Sequence, residues 1–260
     1  MTTSLPDLDT RLLARIEAAD AAFHRARLGA DAVTEHGDLT VIHGPEDPAT
    51  GGPRVLGLSP KTAGDLAPAL DSLGDSAASA RVEILPGSLD AATASTLAEH
   101  GFRHTGFTAL HYGVPDPSAL QPNPGVEVTA VEADWAFREF IEVYQQGWDI
   151  PAGDHKSTDD LAHWRSIEGI ELCLGRLYGT AVAAGWLHVD GETASLADAA
   201  STHVLRRQGG HTAVLHHRLV RAQEAGCKLV VAWSQFGDPA HRNLARAGLR
   251  LAATKAIWQR

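Results

Sequence analysis

The chain has 260 residues, 44% hydrophobic and 21% charged, which is near the globular average and excludes wholesale disorder. Its net charge of −10 excludes general nucleic-acid binding, which needs a basic footprint, and no apolar run approaches the roughly 18 residues of a membrane-spanning helix. The start, Met1 to Asp9, lacks a basic stretch followed by an apolar core, so a cytoplasmic location is expected.

Cys173 and Cys227 are far apart and in no spaced motif, so two buried thiols are expected rather than a disulfide. The chain has 14 histidines but no His-Glu-x-x-His. The adjacent His216 and His217 point about 100° apart on a helix, so no metal site is expected.

In chain order, Leu8, Leu12, Leu13, Ile16, Ala19, Ala22 and Phe23 recur at helical steps after Asp7 and Asp9. Residues 39–43 and 54–58 read as strands around a Pro/Gly/Asp loop. Leu66 to Leu73 suggests a helix, and residues 80–85 a strand ended by Pro86-Gly87. Ala91 to His100 is predicted helical, stopped by Gly101. Between Gly113 and Gly125 four prolines remove donors and fix φ, which marks the best linker.

Beyond it, residues 126–131 alternate as a strand and Asp134 to Gln146 reads as a helix. Three strand-like runs follow at 172–177, 180–189 and 194–200, the last two joined by the hairpin dipeptide Asp190-Gly191. A helix is predicted over about 209–226, a strand at 229–233, a helix at 239–247 and a last strand near 251–258. A weak repeat sets Leu97 to Arg103 against Leu244 to Arg250, and Ala109 against Ala256, at an offset of 147.

The stretch from Ala194 to Gly226 carries the chemistry. An apolar strand runs into a loop with two arginines and two glycines, and the loop opens a long helix. Such a junction aims free backbone N–H groups and about half a positive charge at one point, where a pyrophosphate fits. Glycine there keeps a Cβ from holding the backbone off the anion, and arginine adds forked donors. A plain strand-to-helix turn explains the same residues without a ligand. The sequence is neither a P-loop nor a dinucleotide fingerprint.

Arg206-Arg207-Gln208-Gly209-Gly210-His211 resembles the R-x-x-G-x-G/A acyl-CoA loop of the GNAT superfamily of N-acyltransferases. His241-Arg242-Asn243-Leu244-Ala245-Arg246-Ala247-Gly248-Leu249 resembles the R-N-x-x-R-x-G-F segment of one branch. The likeness covers residues 125–260. Residues 1–115 look like the degenerate half of tandem GNAT proteins, without the loop, and 116–125 like a linker. The resemblance implies an α/β (α+β) fold of two GNAT-like halves. Each would be a mixed, mostly antiparallel sheet flanked by helices, and residues 126–260 would form the catalytic half. The N-terminal half is then expected to be scaffold.

The resemblance also implies that acetyl-CoA, or another acyl-CoA, lies in a splay of the sheet. Arg206, Arg207, Gln208, Gly209, Gly210, His211 and Thr212 would cradle its pyrophosphate. A backbone N–H of the strand carrying Ala199, Ala200 and Ser201 would bind the thioester carbonyl. Asn243 would contact CoA or fix the loop. An amine on a small molecule would attack directly. His211 replaces the small third residue of the loop, and Leu244 stands where a thiolate-protonating tyrosine often falls.

Three residues are candidates for proton transfer. Asp198 interrupts an apolar strand and is either a base or a structural hydrogen-bonding group. His241, in the first turn of the last helix, is either an acid or a solvated helix-start residue. Ser234 follows the strand beside CoA and could bind a water. Tyr144 and Trp148, an i, i+4 pair, and His188 are expected to wall the acceptor pocket. The expected partner is a small-molecule amine, and the expected state is monomer or homodimer.

Overall fold

The computed structural model describes residues 7–45 and 51–260. Asp9 accepts a hydrogen bond from the Leu12 N–H at 2.7 Å and so starts α1, Thr10–Leu28. Gly29 ends it with a φ of 100°, which an L side chain would resist. The next elements are β1 (Val33–His36), β2 (Leu39–Ile42), β3 (Arg54–Leu56), α2 (Leu66–Ser72), β4 (Arg81–Ile84), α3 (Ala91–Glu99) and β5 (Arg103–Gly113). They are followed by β6 (Val126–Ala130), α4 (Asp134–Gly147), β7 (Ile170–Leu177), β8 (Thr180–Asp190), β9 (Thr193–Ser201) and α5 (Gly210–Glu224). The chain closes with β10 (Leu229–Gln235), α6 (Pro239–Arg246) and β11 (Arg250–Gln259).

Periodicity anticipates most of these elements to within a few residues. It misses β1, a four-residue strand with one buried side chain, too short to show alternation. Residues 46–50, within the loop read before the second strand, lie outside the described residues.

All strands among the described residues join one 11-stranded sheet in the order β1-β2-β3-β4-β11-β5-β10-β9-β8-β7-β6. The pairings are antiparallel except β3 with β4 and β9 with β10. Each half thus has one parallel pair, and its last strand lies one place further out. The place between is filled by the last strand of the other half: β11 separates β4 from β5, and β5 separates β10 from β11. The two copies of the repeat are therefore mutual ladder partners. Thr108 faces its repeat equivalent Lys255, so a local two-fold axis passes through that pair.

α1 lies over this junction. Leu12, Ile16 and Ala19 pack on Leu110 and Tyr112 of β5 and on Leu229 and Val231 of β10. Phe23 joins the core formed by α4, Trp164, Leu172, Leu174 and Trp186. On the other face, Leu215, Leu219 and Ala222 of α5 share a core with Leu244 of α6 and with Val230 and Ala232.

Beside the axis the core is ionic. The fully buried Lys255 ammonium lies 3.4 Å from Glu17 Oε1, 3.4 Å from Glu83 Oε2 and 3.7 Å from Asp20 Oδ2. Arg54 approaches Asp20 and Glu83 at 3.6 and 3.7 Å, and Arg81 Nε donates to Glu83 Oε1 at 2.7 Å. Burial opposes the charge of Glu83, but Arg81, Lys255 and Arg54 outweigh it and hold its carboxyl down at about 2.

Removing one partner of a buried ion pair strands the other charge. Lys255→Met is expected to lower unfolding stability by about 3 kcal/mol, read as a fall in the urea midpoint. Glu83, with its folded pKa below the unfolded 4.5, stabilises above that value and loses its contribution as pH falls from 4.5 toward about 2. In that window the stability of Glu83→Gln should fall less steeply with acid than that of the wild type; equal slopes would disprove the ionic role.

Candidate active site

β9 and β10 hydrogen-bond in parallel only from Thr193 and Leu229 as far as Leu196 and Ala232. Beyond that point β9 stays with β8 to Ser201, while β10 stays with β5 to Gln235. The strands part and leave a slot through the sheet. The α5 and α6 face lies on one side, and the α1 and α4 face on the other.

A bulge sits at the mouth of the slot. Ala184 pairs with Ala200 and Trp186 with Ala197, so Gly185 alone faces both Asp198 and Ala199. The extra residue takes one peptide group out of the ladder. Asp198 adopts a φ of 43°, unusual for a side chain other than glycine. Arg218 of α5 reaches the same place, its Nη1 donating to the carbonyls of Trp186 and Ala197, each at 3.1 Å. Gly185 makes that possible, since a Cβ there would lie 3.2 Å from the guanidinium carbon. Burial lowers the pKa of Arg218 to about 10, so it keeps its charge at neutral pH.

The bulge is held from the other half of the chain. Arg27 of α1 forms an ion pair with Asp198 and donates from Nη2 to the Tyr144 hydroxyl at 3.0 Å. Its guanidinium lies 4.8 Å from the Trp186 ring and 5.2 Å from that of Trp164. This engagement makes Asp198 a structural anchor and corrects its candidacy as a free base.

Beside the slot, the loop before α5 forms a cradle of backbone N–H groups. Arg207 and Gly209 have φ values of 65° and 85°, which turns successive N–H groups toward one side. Ala213 N–H is the first of α5 to bond back, to Gly209 O, so those of Gly210, His211 and Thr212 have no helical partner. A Cβ on Gly210 would meet Val182 Cγ2 at 2.9 Å, and one on Gly209 would meet Asn123 Cβ at 2.8 Å. Arg206, Arg207 and Gln208 are exposed around the cradle. The predicted linker packs here, with Asn123 Nδ2 donating to Gln208 O at 2.8 Å. The residues fit a pyrophosphate.

A cavity of about 480 Å³ runs through the slot. On the α5 and α6 side it touches His211, Arg218, Ser234, Ala240 and Leu244, and at the bulge Ala197, Asp198 and Ala199. Ala200 is buried and Ser201 half-buried next along β9, and Asn243 Nδ2 lies 3.2 Å from His211 Nδ1. Burial and then Arg218 lower His211 to about 4, which keeps it neutral beside the cradle. Ser234 Oγ is buried without a partner among the described residues. Leu244 presents hydrocarbon to the cavity where a phenol would serve as an acid.

Other expected residues fall elsewhere. His241 packs on His111 and Phe236, with ring centroids 4.8 and 5.1 Å away, and is not in the cavity wall. His188 lies under Phe23 beside a separate small cavity with Asp190 and Arg15. The expected aromatic pair divides. Trp148 lines the slot, whereas Tyr144 lines a second, more apolar cavity with Trp164 and Ile167.

On the α1 side the N-terminal half supplies Asp20, Phe23, His24, Arg54, Arg81, Glu83 and residues 105–108 to the slot wall. It is more than scaffold. Asp20, His24 and Arg27 were legible only as polar residues interrupting the apolar face of α1.

Both cysteines are buried thiols. Glu171, Cys173 and His217 come together within 4.8 Å, but Arg221 and His217 already hold the Glu171 carboxylate at 2.9 and 3.2 Å. No helix among the described residues is long and apolar enough to cross a membrane.

The arrangement of the strands and helices as a whole recurs in solved structures. The chain superimposes on a GCN5-related N-acetyltransferase from Kribbella flavida with a TM-score of 0.61 and 17% identity, over 92% of this chain and 95% of that one. The fold is that of the GNAT superfamily. A GCN5-related N-acetyltransferase from Sphaerobacter thermophilus gives a TM-score of 0.64 at 14% identity, covering 86% of this chain and 76% of that one. A tandem GNAT protein from the clavulanic acid biosynthesis pathway gives 0.58 at 12%, covering 85% and 78%. No family model matches the sequence, and neither does any curated protein.

Arg27→Met should destabilise the protein by about 3 kcal/mol, because the half-buried Asp198 carboxylate loses its cation. A double-mutant cycle with Asp198→Asn should give a coupling above about 1 kcal/mol in urea unfolding. Additive effects would mean that the pair does not hold the bulge.

Proposed function

We propose that the protein is an acyl-CoA-dependent N-acyltransferase that moves an acetyl group to the amine of a small molecule by direct attack. The observation that carries this is the continuity of the cradle, the bulge and the slot. An anion held by the loop before α5 stands beside a passage that touches His211 of that loop and opens through the sheet at Asp198 and Ala199 of the bulge.

In this reading the N–H groups of Gly210, His211 and Thr212 bind the donor pyrophosphate, and Arg206 and Arg207 add charge-assisted hydrogen bonds. The bound donor supplies the acyl group as an activated thioester. The peptide group freed by the bulge points a dipole at the carbonyl oxygen as charge develops there. Arg218 fixes the carbonyls beside the bulge, so this donor needs no reorganisation. Ser234 Oγ supplies a hydroxyl on the donor side, where Leu244 offers none. In this reading the amine enters the slot from the side of the sheet opposite the pyrophosphate. The two substrates then meet at the bulge, and catalysis by positioning follows.

Leu244 favours a second reading, a protein that binds acyl-CoA without turning it over. Thermal shift tests the donor assignment. At about 100 times Kd, acetyl-CoA should add about 2.7 kcal/mol of stability. Gly209→Glu, which sets a carboxylate in the cradle and strains its backbone, should lower the unliganded stability and abolish that gain; an unchanged gain would mean that the loop is misassigned. Free-thiol release with a panel of primary amines then separates enzyme from binder.

A further inference from the structure

α1 carries Asp20 and His24 four residues apart, so they share one face with Ile16 and Phe23. Both are only 3% exposed, and both line the slot on the side opposite the cradle. Asp20 Oδ1 lies 3.3 Å from His24 Nε2. The contact sets the tautomer: Nε2 carries the proton toward the carboxylate, and Nδ1 keeps a lone pair. That Nδ1 is buried without a hydrogen-bond partner among the described residues. Ring nitrogens of His111, His188 and His241 are likewise unpartnered among the described residues, but of these four histidines only His24 lines the slot.

Three charged groups act on the imidazole: Asp20 from α1, Arg54 from β3 and Asp198 from β9. Burial, and then Arg54, pushes His24 below its ordinary value, while Asp20 and Asp198 oppose the shift. The ring is therefore neutral at neutral pH. Burial also opposes the charge of Asp20, but the contact with His24, with Arg54 and Lys255, holds its carboxyl below the ordinary range.

We infer that His24, oriented by Asp20, is the catalytic base of the acyl transfer and accepts the proton of the acceptor ammonium on the N-terminal half's side of the slot. The inference rests on the acyltransferase reading above. The ammonium R–NH3+ gives one proton to His24 Nδ1. The freed lone pair forms the N–C bond to the thioester carbonyl carbon, and the C–S bond breaks with its electron pair on sulfur. The nitrogen's second proton passes to that thiolate, giving the amide and free CoA thiol, and His24 returns its proton to solvent. His24 is a catalytic residue in this scheme, and Asp20 is a positioning residue.

The test is turnover of acetyl-CoA with a panel of primary amines, followed as free thiol across pH, beside calorimetric CoA affinity. In His24→Gln, kcat should fall about 100-fold with CoA affinity unchanged. The decline of wild-type kcat at low pH should be absent from the variant's residual activity. His24→Asn serves if the first variant melts early. Wild-type kcat in either folded variant would overturn the inference. So would an acid limb of wild-type kcat that persists unchanged in the variant's residual activity. No turnover by the wild type, with CoA still bound, would overturn the acyltransferase reading and this inference together. Turnover that persists without His24 would overturn this inference alone.

Discussion

The antiparallel ladder between β5 and β11 makes one molecule of two halves. Each of these strands completes the sheet of the half to which it does not belong. The ladder places Lys255 among carboxylates from α1 and β4, and it gives α1 a continuous floor of β5 and β10 side chains. It also brings residues 105–108 to the edge of the slot. The site therefore forms only once the two halves have interleaved.

The buried ions follow from that arrangement. A helix lying across a seam must present one face to two different sheets, and α1 does so with Leu12, Ile16 and Phe23 interrupted by Asp20, His24 and Arg27. Desolvating these groups is costly, and the two charged ones are matched. Asp20 has Arg54 and Lys255, and Arg27 has Asp198. The second match matters for chemistry, because Asp198 sits in the bulge where the ladder opens. A side chain from the first thirty residues thus fixes backbone geometry in β9.

The sequence makes the elements legible more readily than their partners. An apolar run bounded by turn residues reports that a strand has a buried face, which is how β8, β9 and β10, buried over most of their length, show themselves. It does not say which neighbour fills that face, since β5 and β11 would read the same in separate sheets. The repeat at Leu97 and Leu244 contained the exchange, but only as similarity. The cradle was legible because glycine and arginine have few other reasons to cluster before a helix, and because the loop resembled a known one. The bulge was not legible: Asp198 stood out as polar, yet its conformation depends on Gly185, Arg218 and Arg27, all distant in sequence. His188 and His241 illustrate the reverse error. Their placement near a strand or helix start was right, but their rings face His111 or Phe23 rather than the cavity. His24 was missed because a single polar residue within a helical stripe looks like noise until its neighbours across the seam are known.

The exchanged strands also set the order in which the molecule can be completed during synthesis. When residues 1–115 have left the ribosome, β4 and β5 are both present, but the strand that must lie between them is encoded far downstream, by residues 250–259. Until those residues emerge, two facing rows of backbone donors and acceptors wait unpaired, and the Glu17, Asp20 and Glu83 carboxylates lack their ammonium. Long-range pairings of this kind are slow and leave edges open to other chains. Residues 250–259 are thus the keystone of the half that is made first.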